Sequence, residues 1–199
     1  MDIQARMRAV LDAESRAIAN VAVTPEYEKA VLAMRDCQGR VITTGIGKAG
    51  HIAKKFAATL CSTACPAVFV HPAEAAHGDL GQITRPDCVI AMSTSGKSRE
   101  VLEMLEMVRH VGISCVIGIT SHPDSELRRL SDIVLDMGDI TEACPLGLTP
   151  SSSMAVMLAI TDALALALLE VRGITKEDWG LRHHGGYLGR KARMDNEPH

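Results

Sequence analysis

The stretch Cys88-Val89-Ile90-Ala91-Met92-Ser93-Thr94-Ser95-Gly96-Lys97-Ser98-Arg99-Glu100 runs from an apolar segment through a hydroxyl-rich turn into a helical period. Five apolar residues bounded by turn residues read as a buried strand, and Arg99 to Arg109 reads as the helix that follows. Three serines, a glycine that lets backbone N–H groups come close, and the positive end of a helix are together what a phosphate requires. The turn is one residue away from a nucleotide P-loop, G-x-x-x-x-G-K-[ST]. Gly96-Lys97-Ser98 matches the second half, but Ala91 stands where the first glycine belongs. That substitution favours a phosphate monoester held by hydroxyls and amides over a metal-bound nucleotide. A helix N-cap needs one serine, not three.

The same strand-turn-helix pattern recurs outward from this stretch. Val41 to Thr44, Ala67 to Val70, Cys88 to Met92, Cys115 to Ile119 and Ile133 to Leu135 are short runs rich in Val, Ile and Cys. Lys48 to Ser62, Ser98 to His110 and Asp124 to Leu130 carry helical periods between them. Alternating β and α predicts a parallel sheet covered on both faces. Two helices precede the first strand, and a long one, Ser151 to Arg172, follows the last, opened by Pro150 and three serines and closed by Gly173. In such sheets ligands bind beyond the carboxyl ends of the strands. That places three polar turns at one crevice: Thr43 to His51, His71 to Asp79, and the Ser/Thr turn.

Composition narrows the partner. A chain of 199 residues, 47% apolar, supports one core and one domain, residues 1–199, with 191–199 read as a short tail. A net charge of -3 with acids and bases interspersed offers no basic face for nucleic acid and no basic tract for a membrane surface. Met1 to Ala22 mixes charges among apolar residues and reads as an amphipathic helix, not a signal peptide. Met154 to Leu169, interrupted by Thr161-Asp162, is shorter than the roughly 20 residues a membrane span needs, and reads as a buried helix. The six cysteines include no C-x-x-C pair and mostly sit in or beside apolar runs, which predicts free thiols and a cytoplasmic protein.

Other residues point to chemistry around a bound phosphate. The turn Gly45-Ile46-Gly47-Lys48-Ala49-Gly50 reads as a dinucleotide fingerprint, a phosphate cradle or a tight connection. Lys48 interrupts the Rossmann spacing and no acid ends the second strand, so nicotinamide binding is disfavoured. A lysine at a helix start is electrostatically unfavourable unless an anion is bound there. Glu100, in the first turn after the Ser/Thr turn, either complements the helix dipole or lies within reach of a sugar carbon. His77 in Ala76-His77-Gly78-Asp79 suits proton handling near neutral pH. His71-x5-His77-x-Asp79 matches no common metal-ligand spacing, and no metal or cofactor is expected. Thr149, Ser151 and their neighbours between the last strand and the long helix either cap that helix or line the site. Arg182-His183-His184-Gly185-Gly186-Tyr187-Leu188-Gly189-Arg190 reads as too glycine-rich for helix and too histidine-rich for an idle tail. It is expected to reach a neighbouring subunit's site.

With these residues in place, the chain resembles the sugar isomerase (SIS) family, and within it the D-arabinose 5-phosphate isomerases. The resemblance is carried by Gly45 to His51, Val70 to Gly81, Glu142-Ala143-Cys144-Pro145-Leu146 and the late histidine-glycine segment. It implies a three-layer α-β-α sandwich with a five-stranded, flavodoxin-like parallel sheet, and a homotetramer with sites shared between subunits. It also implies conversion of D-ribulose 5-phosphate to D-arabinose 5-phosphate, a precursor of the octulosonate sugar Kdo in capsule and lipopolysaccharide synthesis. The family's catalytic set falls on Lys48, His77, Glu100 and His183. Gly45, Gly47, Ser93, Thr94, Ser95, Ser98, Thr149 and Ser151 are expected to hold the substrate. Proton exchange between C1 and C2 through an enediol assigns Glu100 as base, His77 or His183 to the ring-opening and hydroxyl protons, and Lys48 to the enediolate oxygen.

Two other readings share the phosphate turn: a phosphosugar sensor without turnover, and an isomerase of another ketose phosphate. The chain departs from the family at His183-His184, where a His-Pro pair is usual, and at Lys97, usually neutral or acidic. Larger members append CBS modules; this stretch has none, and no regulation through them is expected.

Overall fold

The computed structural model describes residues 1–113 and 115–194. Five strands, β1 (Val41–Gly45), β2 (Ala67–Phe69), β3 (Cys88–Met92), β4 (Cys115–Thr120) and β5 (Ile133–Asp136), form an all-parallel sheet in the order β2-β1-β3-β4-β5. This is the flavodoxin-like doubly wound order, and its direction reverses between β1 and β3. Each strand lies within a residue of the apolar run that predicts it. Continuous apolar runs form here because β1 and β3 are buried on both faces.

The helices are α1 (Ile3–Ala19), α2 (Pro25–Asp36), α3 (Gly47–Ser62), α4 (Pro72–Ala75), α5 (Arg99–Val111), α6 (Glu126–Leu130), α7 (Ser152–Val171), α8 (Lys176–Gly180) and α9 (Gly186–Met194). Tyr27 and Met34 of α2, Phe56 and Leu60 of α3, and Met157 and Leu164 of α7 pack with Ile90, Met92, Ile117 and Ile119 on one face of the sheet. Val101 and Leu105 of α5 and Leu127 of α6 pack with Ile42, Val89 and Val116 on the other. Each fully buried Ile or Leu of these layers contributes about 1.5–3 kcal/mol. Outside the three layers, α1 lies on α7 and buries none of its own residues.

Two expectations change. The last long helix reaches 20 residues and is long and apolar enough to cross a membrane by length and composition. It nevertheless packs along α1, α2 and α3, with Thr161 buried on its inner side. The glycine-rich segment is helical from Gly186 onward, and α9 continues through Met194. Its glycines permit contact instead of breaking the helix, because a Cβ on Gly189 would lie 2.1 Å from the His183 carbonyl oxygen. Residues 195–199 lie outside the described residues.

Candidate functional site

The turns that end β1 and β3 meet at the point where the strand order reverses, and a cleft of about 340 Å³ opens there. Its lining includes Ile46, Lys48 and Ala49 from the start of α3, and Ser93, Thr94, Ser95 and Ser98 from the β3–α5 turn. His122, Glu142 and Ser153 complete its polar side. The volume is that of a small-molecule site.

The Ser/Thr turn is built by its own hydroxyls. Ser93 and Ser98 share an Oγ–Oγ hydrogen bond of 2.9 Å, Gly96 N donates to Ser93 Oγ at 3.1 Å, and Lys97 N donates to Ser95 Oγ at 3.2 Å. Ser98 occupies the N-cap of α5 without making a side-chain cap bond, so the helix's first amides stay available to a ligand. The Thr94 carbonyl accepts from Thr120 Oγ1, Ser121 Oγ and Ser121 N, each at 3.1 Å, which anchors the turn to the end of β4. Gly96 sits at φ +61°, and a Cβ there would fall 2.4 Å from Ser125 and 2.8 Å from Thr120 Oγ1. Only glycine fits that position.

Gly45 and Gly47 stand behind the cleft and do not line it. A Cβ on Gly45 would press on Met92 O and the α3 backbone, so this glycine lets α3 begin hard against β1 and β3. Gly47 takes φ +58° at the first residue of α3 and aims that helix. Lys48 therefore projects from the first helical turn into the cleft. Thr43 and Thr44, which the sequence places in the polar turn, are buried strand residues, and Thr43 donates to Ala53 O at 2.8 Å.

Two polar lining residues have no role assigned from the sequence: Glu142, which lies in a motif that carries the family resemblance, and His122, which lies in none. Ser151 N donates to Glu142 Oε2 at 2.7 Å, Ser153 N at 3.4 Å and Ser151 Oγ at 3.2 Å, while Ser153 Oγ donates to Oε1. A carboxylate from the preceding loop thus caps α7, the role its serines alone would otherwise fill. Burial pushes the Glu142 carboxyl up, but the bonds from Ser153 and Ser151 outweigh burial and hold it below its ordinary range. The signal for Glu142 lay nine residues from the helix it caps, beyond the reach of helical periodicity. His122 is set by Arg128, whose Nε donates to the His122 carbonyl at 2.6 Å and whose second nitrogen bonds Asp136 at 2.7 Å.

The other expected residues lie outside the cleft lining. Thr149 hydrogen-bonds Cys144 through its hydroxyl and its amide; with the amides of Leu148 and Leu146, these bonds bring the Cys144 thiol down to about 6. Ser151 reaches the cleft only through Glu142. Glu100 is half-buried in the first turn of α5, and α4, which ends just before exposed His77, packs on that helix. His183 belongs to the α8–α9 unit, whose two helices pack on each other and make no more than marginal contact with other elements. Its ring stacks on Trp179 with centroids 3.6 Å apart and planes 9° apart. Its Nδ1 donates to Trp179 O at 2.9 Å. Among the described residues, no group of three His, Cys, Asp or Glu is placed to hold a metal ion.

Fold and site together define an α/β domain of the doubly wound type with a hydroxyl-lined cleft at its switch point. Residues 34–167 match the SIS domain model, and the chain belongs to that family. It is 46% identical over 172 residues to the arabinose 5-phosphate isomerase KdsD of Pseudomonas aeruginosa, covering 86% of this chain and 52% of the relative. It is 45% identical over 197 residues to KdsD of Escherichia coli K12, covering 97% of this chain and 59% of the relative. The chain thus spans little more than half the length of these curated relatives. Among solved structures, a Bacteroides fragilis protein superposes with a TM-score of 0.90 at 40% identity, covering 93% of this chain and 99% of that one. An E. coli CFT073 protein in complex with A5P superposes with a TM-score of 0.87 at 38% identity, covering 92% and 97%.

Proposed function

We propose that this chain is an aldose–ketose isomerase that interconverts D-ribulose 5-phosphate and D-arabinose 5-phosphate, feeding Kdo synthesis without a redox cofactor. The observation that carries this reading is the cleft itself, where a hydroxyl turn and a helix N-terminus face Lys48 across a volume suited to a pentose phosphate. Ser93, Thr94, Ser95 and Ser98 hold the phosphate, which stays intact and serves as a handle. A base beside both carbons removes the proton from C2 of the aldose and returns it to C1, and Glu100, two residues past the turn, takes that role. Lys48 stabilises the enediolate oxygen, and a histidine opens the ring and moves the hydroxyl protons.

The two KdsD relatives and the A5P complex support this substrate. A homotetramer with shared sites belongs to the same proposal. Leu181, Tyr187 and Leu188 are exposed around the α8–α9 unit, as are Ile3, Met7, Leu11 and Ile18 on α1, which suits both to contact with other copies. A cytoplasmic setting agrees with six free cysteines.

Incubation with D-ribulose 5-phosphate in D₂O, followed by NMR, tests the reading. Arabinose 5-phosphate carrying deuterium at C2 is expected. Binding without conversion or exchange would leave the sensor reading; conversion of only a hexulose or heptulose phosphate would leave the other isomerase reading.

A further inference from the structure

At the end of the sheet away from the cleft, β3 and β4 begin side by side, with Cys88 opposite Cys115 in the parallel register. Paired residues on neighbouring parallel strands point to the same face, and the strand spacing falls within the Cα separation a disulfide tolerates. The two sulfurs lie 3.5 Å apart, so side-chain rotation alone has to close the gap to about 2.05 Å. A third thiol, Cys37 at the C-cap of α2, lines the same 270 Å³ cleft with Cys88, Cys115 and Asp87. It is otherwise engaged: its single S–H is shared between Pro86 O at 3.3 Å and Arg40 O at 3.5 Å.

The pair is asymmetric. Cys88 is buried at 2% exposure, while Cys115 is half-buried and faces the open cleft. Cys88 donates to the Cys115 sulfur and favours its thiolate; burial and Asp132 oppose this, and Arg109, which pairs with Asp132 at 2.7 Å, assists it. The balance lowers the Cys115 thiol, as suits an attacking sulfur with a resolving neighbour.

We propose that Cys88 and Cys115 are a peroxide-oxidisable dithiol that closes into a disulfide joining the first residues of β3 and β4. The Cys115 thiolate attacks a hydroperoxide oxygen. The O–O bond breaks, the S–O bond forms, and the departing hydroxide takes up a proton as water. The Cys88 sulfur then attacks Cys115 Sγ, the S–O bond breaks, and a second water leaves with the Cys88 proton. Two thiols are oxidised to one disulfide and one peroxide is reduced to two waters. The site is independent of the isomerase reading, since β3 separates Cys88 from Ser93 by about 16 Å of strand.

The full chain is treated with hydrogen peroxide, its remaining thiols are alkylated, and its peptides are mapped without reduction. The expected product is a peptide pair joined through Cys88 and Cys115, lighter by two hydrogens than the separate peptides and released by dithiothreitol. Half-buried Cys144, whose thiol is held down to about 6, serves as an internal gauge of peroxide dose. In Cys88→Ser, Cys115 is expected to accumulate as the sulfenic acid and be captured by dimedone. The proposal is overturned if Cys88 and Cys115 both remain alkylatable at a dose that oxidises Cys144. It is equally overturned if either pairs with Cys37, or if Cys115 goes to the sulfinic acid while Cys88 stays a thiol. The wild-type map decides alone, so a Cys88→Ser chain that fails to fold leaves the test intact.

Discussion

The β3–α5 turn and the α8–α9 unit both carry residues of the proposed site, yet they are held in opposite ways. The turn is over-determined within the chain: three serine hydroxyls bond into it, Thr94 is pinned to β4, and Gly96 fits against Ser125 with no room for a Cβ. The α8–α9 unit holds itself through the Trp179–His183 stack and the close approach of Gly189, but barely touches the sheet. One chain therefore builds the turn of the proposed site rigidly, while the α8–α9 unit that carries His183 packs chiefly on itself. On the roles proposed above, the turn serves binding and His183 serves chemistry, and substitutions at the two are expected to fail differently.

The largest effect is expected from the proposed catalytic residues, His183 in the α8–α9 unit and Glu100 just past the turn in α5. His183→Ala and Glu100→Gln should each lower kcat about 10²- to 10⁴-fold while leaving KM within a few-fold, measured by steady-state kinetics. A KM rise of the same size would erase the contrast between these residues and the turn. Next comes the turn: Gly96→Ala forces a left-handed φ and a clash with Ser125, and should cost about 1–3 kcal/mol in urea unfolding while weakening phosphosugar binding. Ser93→Ala should raise KM with little change in kcat.

Glu142 gives a smaller, pH-dependent effect. Its folded-state pKa is depressed, so its carboxylate contributes stability above the ordinary value of 4.5, and that contribution is lost as pH falls through the lower folded value. Thermal unfolding should therefore show wild type and Glu142→Gln separated at pH 7 and converging below about pH 4.5. The smallest perturbation is chemical. With its thiol at about 6, Cys144 should be alkylated by iodoacetamide at pH 7 before the other five cysteines, as peptide mapping can check.

Much of this contrast was legible from residue patterns. Short runs of Val, Ile and Cys with helical periods between them specify a parallel sheet, and the hydroxyl turn after β3 announces its anion because few other structures need three serines there. What was not legible depends on contacts distant in the chain. Glu142 caps α7 across nine residues, His122 is set by Arg128, and Thr43 and Thr44 are polar in type but buried in place. The segment from Arg182 to Arg190 misled because glycine was read as a helix breaker. Gly189 instead gives the His183 carbonyl room against α9.

Complementation tests the division of the site most directly. Lys48→Ala and His183→Ala chains, each inactive alone, are unfolded together, refolded as a mixture and assayed for isomerisation of D-ribulose 5-phosphate. If Lys48 and His183 meet across subunits, random pairing should restore roughly a quarter of wild-type activity. A mixture that assembles but stays as inactive as its parents would contradict the account and place both residues of each site on one chain.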